Sequence, residues 1–85
     1  MLRVDFVNYE EYMETCKGKI PESMLYSQKE WEDFLTEEAE EAVEGVPVGE
    51  SVNLSVCRNT IIYQFTCRNV GYRTVSVYLK KIMNY

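Results

Sequence analysis

The sequence has no histidine, only three cysteines, two prolines and four glycines, and no apolar run near the ~20 residues that a membrane-spanning helix needs. Each absence excludes something. Without histidine the commonest general base is missing, and with it most arrangements that activate a serine or cysteine nucleophile. Three cysteines fall short of the four Cys or His ligands of a structural zinc site, and the carboxylates lack the spacing of a calcium loop. No glycine-rich phosphate loop is present, because Gly45, Gly49 and Gly71 fall where turns are needed. These gaps point to a protein with no catalytic residue, no metal and no cofactor, and so to a non-enzymatic role. An odd cysteine count, with an opening stretch MLRVDFVNYEE that reaches acidic residues too early for a signal peptide, favours reduced thiols. A cytoplasmic location is expected, the host cytoplasm if the chain is viral.

Charge of one sign is also missing from part of the chain. Asn8 to Glu50 carries thirteen acids against Lys17, Lys19 and Lys29, a net of −10. Ser51 to Tyr85 carries Arg58, Arg68, Arg73, Lys80 and Lys81 with no acid, a net of +5. Segregation of this kind bears on partners and association rates rather than on fold. At 85 residues, 46% hydrophobic and 27% charged, the chain is one small globular domain over 1–85. A domain of this size buries only ~60 to 65% of the surface of its unfolded form, so its core is thin.

What is present orders the chain. Leu2-Arg3-Val4-Asp5-Phe6 alternates as a half-buried strand does, with Leu2, Val4 and Phe6 inward. Asn8 is placed to cap a short helix, with Glu11 reaching back to it, and Tyr9, Tyr12, Met13 and Cys16 form its apolar face before Gly18. Pro21 argues against helix in the linker, and Met24 to Tyr26 reads as a short extended piece. Ser27-Gln28-Lys29-Glu30 is a capping box, and Tyr26 and Trp31 are spaced as a hydrophobic staple. The main helix thus starts at Ser27, buries Trp31, Phe34, Leu35, Ala39, Ala42 and Val43, and stops at Gly45 before Pro47. Three strands follow, with Val52, Leu54, Val56, then Ile61, Tyr63, Phe65, Cys67, then Val75, Val77, Leu79 inward. Arg58-Asn59 and Asn69-Val70-Gly71 supply the turns. The expectation is an α+β fold, order β-α-α-β-β-β, with two helices on one face of a four-stranded, mainly antiparallel sheet. The position of the first strand is open.

Cys-Arg-Asn occurs twice, at Cys57 and Cys67. Between them lies a strand of about seven residues, which at ~3.3 Å per residue holds the cysteines roughly 20 Å apart, whereas a disulfide needs its Cα atoms within about 7 Å. Parity places Cys67 in the core and Cys57 on the opposite face. The repeat is therefore two hairpin ends.

Two binding surfaces remain. On the helices, Glu30, Asp33, Glu37, Glu40, Glu41 and Glu44, helped by Glu10 and Glu14, present carboxylates that stand in for nucleic-acid phosphates and fit a protein partner with a basic surface. Glu38, near the edge of the apolar stripe, is placed to pair with a C-terminal Arg. Small size and acidity suit an inhibitor of the anti-CRISPR-like kind that phages and mobile elements encode, although no motif carries that link. The alternative surface is the open sheet face with Tyr72, Tyr78, Lys80 and Gln64, as a homodimer interface or a single-strand nucleic-acid platform. Direct nucleic-acid binding ranks below protein binding, and a run such as Glu37 to Glu41 is most often a solvated helix face.

Overall fold

The computed structural model describes residues 2–84. Its elements are β1 (Arg3–Phe6), α1 (Tyr9–Cys16), a 3-10 turn (Glu22–Met24), α2 (Gln28–Ala42), β2 (Ser51–Arg58), β3 (Ile61–Gly71) and β4 (Thr74–Asn84). The β-α-α-β-β-β order and α+β class match the expectation. The sheet order is β1-β4-β3-β2, with β1 parallel to β4 and the other pairs antiparallel. No helix among the described residues is long and apolar enough to cross a membrane.

The capping box forms as expected. Glu30 N–H donates to Ser27 Oγ at 3.2 Å, and Ser27 N–H donates to Glu30 Oε1 at 3.0 Å. Tyr26 and Trp31 close the staple with ring centroids 5.4 Å apart. From there α2 buries Trp31, Leu35, Ala39 and, just past its end, Val43, a stripe of spacing four. Trp31 is the hub of the core. Phe6, Tyr12, Tyr63 and Phe65, from two strands and the other helix, lie between 4.8 and 6.3 Å from its ring, mostly edge to face. Val4, Cys16, Ile20, Val56, Ile61, Cys67, Val75 and Val77 complete the buried layer.

Several local expectations change. Asn8 makes no side-chain cap to α1. Its Nδ2 donates to Leu79 O at 2.9 Å and its Oδ1 accepts from Leu79 N–H at 2.8 Å, so the amide extends the β1–β4 ladder where β1 has ended. Glu22–Met24 forms a 3-10 turn, and only Leu25 begins the extended backbone that leads to Ser27. The hairpin turns lie at Asn59-Thr60 and Tyr72-Arg73, where both central residues have positive φ of 51° to 62°, the signature of a type I′ loop. Asn69 does not make the hairpin turn expected of it, because its side-chain nitrogen is committed elsewhere. Its Nδ2 donates to Val46 O, its N–H to Glu50 O, and its O accepts from Gly49 N–H, which ties the loop after α2 to β3. Val70 is then an extra residue in β3, and β3 continues to Gly71. A second register shift places Lys80 as an extra residue in β4, opposite the step from Gln64 to Phe65.

Candidate functional site: an acidic helix and an open sheet

Both helices cover one face of the sheet, so acids fall on one side of the molecule and the uncovered strands on the other. The eight carboxylates expected to act together do not form one array. Glu37, Glu40 and Glu41 and Glu44 gather with Glu38 around a shallow hollow of about 420 Å³ at the C-terminal half of α2. Glu30 is taken up by the cap, and its hydrogen bonds to the Ser27 backbone and hydroxyl hold its carboxyl below the usual range, with a small contribution from Arg58. Asp33 pairs with Lys29 at 3.5 Å, both ends exposed. Glu10 lines a separate hollow of about 450 Å³ with Glu11, Gln28 and Tyr78. Glu14 lines a third, of about 530 Å³, whose floor is Met13, Ile20 and Leu25. Since Gln28 and Glu44 lie at opposite ends of α2, Glu10 and Glu44 are roughly 20 Å apart at ~1.5 Å per helical residue.

At the gathered end the electrostatics are unfavourable to folding. Glu37–Glu40, Glu37–Glu41 and Glu38–Glu41 are like charges three or four residues apart, each destabilising by about 0.2–0.5 kcal/mol in an isolated helix. They lie toward the negative end of the helix dipole, and the last turn has no basic residue. Among the described residues the only ion pair is Lys29–Asp33, so none of their cations pairs with these acids. In particular Glu38 does not meet the C-terminal Arg expected for it.

Arg58 is engaged by aromatic rings instead. Its guanidinium carbon stands 3.7 Å from the ring centre of Tyr26, 4.2 Å from Phe34 and 4.8 Å from Trp31, and its Nη1 is buried with no hydrogen-bond partner. Electron-rich ring faces replace the missing acceptor. Asn59 Nδ2 donates to Tyr26 Oη at the mouth of this box. The sequence signalled Tyr26, Trp31 and Phe34 as staple and stripe, and Arg58 meets these three rings only because β2 ends beneath the start of α2.

On the open face, cross-strand rows follow the register: Cys57–Ile62–Met83, Ser55–Gln64–Lys81, Asn53–Thr66–Tyr78 and Ser51–Arg68–Ser76–Asp5. Gln64 and Tyr78 take their expected places. Tyr72 does not: it is the tip of the β3–β4 turn, fully exposed, because β3 runs past the turn expected at Asn69. Lys80, as the bulged residue, lines a small hollow with Asn53, Ser55 and Gln64, beside Lys81. Arg3, Arg68, Lys80 and Lys81 are all exposed, against Asp5 alone.

The thiols divide by burial as parity required. Cys57 is exposed, while Cys16 and Cys67 are buried, and all three are free. Burial pushes the Cys67 thiol up to about 11 and also raises that of Cys16, the opposite of what a reactive thiolate needs. No group of three or more His, Cys, Asp or Glu among the described residues is arranged to hold a metal ion. No family model, no curated protein and no solved structure matches this chain, so its function is argued from these residues and their geometry alone.

Proposed function

We propose that the chain is a non-enzymatic interaction protein whose acidic helical face binds the basic surface of a nucleic-acid-binding protein. The observation that carries this reading is the uncompensated group Glu37, Glu38, Glu40, Glu41 and Glu44 around one hollow, held against both mutual repulsion and the helix dipole. Like charges at this spacing weaken the helix, and a partner surface of opposite charge offsets that repulsion on binding. An inhibitor of the kind that phages and mobile elements direct against host nucleases or CRISPR complexes fits this character. The test compares wild type with the E37K/E40K/E41K variant in capture from host lysate, followed by elution with excess oligonucleotide. Loss of capture in a folded variant, and release of the wild-type partner by nucleic acid, are expected. Equal capture by the variant refutes the reading.

One observation favours a second reading, in which the open face binds single-stranded nucleic acid: Arg3, Arg68, Lys80 and Lys81 share it with Asp5 alone. It ranks lower because Tyr72 leaves the face and Tyr78 is then its one aromatic platform among the described residues. Retention of a labelled oligonucleotide at low salt supports it, and no retention removes it.

A further inference from the structure

The two edges of the sheet are treated differently. β1 is four residues long and carries Arg3 and Asp5, two of the devices by which proteins stop an edge from pairing. β2, at the other edge, has eight residues, no proline, no charge from Ser51 to Cys57, and an unbroken ladder to β3, both register shifts being between β3 and β4. The alternation of hydrogen-bonded pairs fixes which of its amides are spoken for. Asn69 N–H donates to Glu50 O, so Glu50 turns toward β3, and Val52, Leu54, Val56 and Arg58 follow with period two. The N–H and C=O groups of Ser51, Asn53, Ser55 and Cys57 therefore point out of the sheet, and all four residues are exposed.

We infer that this edge takes an added strand, and that its occupant is an extended, lysine- or arginine-bearing segment of the basic partner; the inference rests on the acidic-face reading above. The helix supplies the charge argument. Phe34 lies over Arg58, which fixes the side of α2 that faces β2. Glu37, Glu38 and Glu41 follow Phe34 at three, four and seven residues and so share that side. A strand docked ~4.8 Å beyond β2 turns alternate side chains toward these carboxylates. Main-chain hydrogen bonds then give affinity and the alternate basic side chains give selectivity, as in other strand additions. A second copy of the chain is the poorer occupant, because it brings its own carboxylates to the same place.

The probe is an end-capped octapeptide alternating lysine and valine, compared with the same peptide N-methylated at alternate amides, which keeps the charge and loses the donors on one edge. Binding of the first should slow hydrogen exchange at the amides of Asn53, Ser55 and Cys57. Ser55→Pro removes an outward N–H and leaves the β2–β3 ladder intact, so the variant, checked for fold by its chemical shifts, should bind about tenfold more weakly, the cost of one or two backbone hydrogen bonds. The N-methylated peptide should show the same loss. If both peptides bind wild type equally with no protection of β2, the inference is overturned while the acidic-face reading stands. If E37Q/E38Q/E41Q binds the first peptide as wild type does, the acidic-face reading fails, and with it the basic partner. Self-association that protects the same amides without peptide, and that Ser55→Pro abolishes, makes a second copy the occupant and also overturns the inference.

Discussion

Replacing Arg58 tests whether the aromatic box contributes to stability. A guanidinium removed from water over ring faces is worth about 2 kcal/mol, and the three rings share one cation, so this figure is not multiplied by three. The stem adds roughly 1 kcal/mol for one or two buried methylenes, at ~0.8 kcal/mol each. Arg58→Ala should therefore destabilise by about 3 kcal/mol, and Arg58→Met, which keeps the stem, by about 2. Arg58→Lys should recover only part, because an ammonium is strongly hydrated and does not stack as a planar group does. In a domain of this size about 1 kcal/mol moves the melting temperature by roughly 4–8 °C, so Arg58→Ala should lower it by more than 10 °C. Urea unfolding followed by tryptophan fluorescence reports the change directly, since Trp31 is both the one tryptophan and a wall of the box. The series should be insensitive to salt, because the charge is held by rings and makes no surface ion pair. A methionine variant as stable as wild type would refute the cationic part of the reasoning, and an alanine variant within about 0.5 kcal/mol of wild type, the usual spread for surface sites, would refute all of it.

Four further outcomes follow from single residues. Thr60 is β-branched at φ 62°, so Thr60→Gly should stabilise by about 1 kcal/mol in urea melts; a destabilised variant would count against the type I′ turn. Asn8→Ala removes both bonds to the Leu79 backbone and should cost about 1–3 kcal/mol, more than a helix cap alone, with faster amide exchange at Leu79. Native alkylation followed by mass spectrometry should modify Cys57 and spare Cys16 and Cys67, and an early adduct on Cys67 would contradict its burial. Burial pushes the Tyr63 phenol up to about 12. A folded-state value above the unfolded one of 10.0 means that its contribution is complete below pH 10 and is lost as pH rises toward 12, so Tyr63→Phe should flatten the alkaline fall of stability.

Much of the fold is legible because local rules decided it. The capping box at Ser27 needs only four consecutive residues, and the strand faces need only period two, which also separated Cys57 from Cys67. The second turn is misplaced because Asn69 has the chemistry of a turn residue, but a partner 23 residues away claims its side-chain nitrogen. Asn8 fails likewise, claimed by Leu79 71 residues on. Of the expected acidic face, composition identified the residues and only the fold divided six of them among three hollows and tied Glu30 to the cap and Asp33 to Lys29. The move of Tyr72 off the open face follows from where β3 ends, one residue beyond a bulge that alternation cannot foresee.

By itself the sequence determined the order and type of the elements, the side each strand buries, and the segregation of acids before Glu50 from cations after Ser51, because propensity, capping and periodicity act over a few residues. Tertiary structure decided the rest: the parallel pairing of β1 with β4, the gathering of six aromatic rings around Trp31, the capture of Arg58 by three faces, and the open edge of β2. Each of these depends on contacts between segments far apart in the chain, where the free energy of burying rings and pairing backbone groups outweighs any local preference, and no window of neighbouring residues records it.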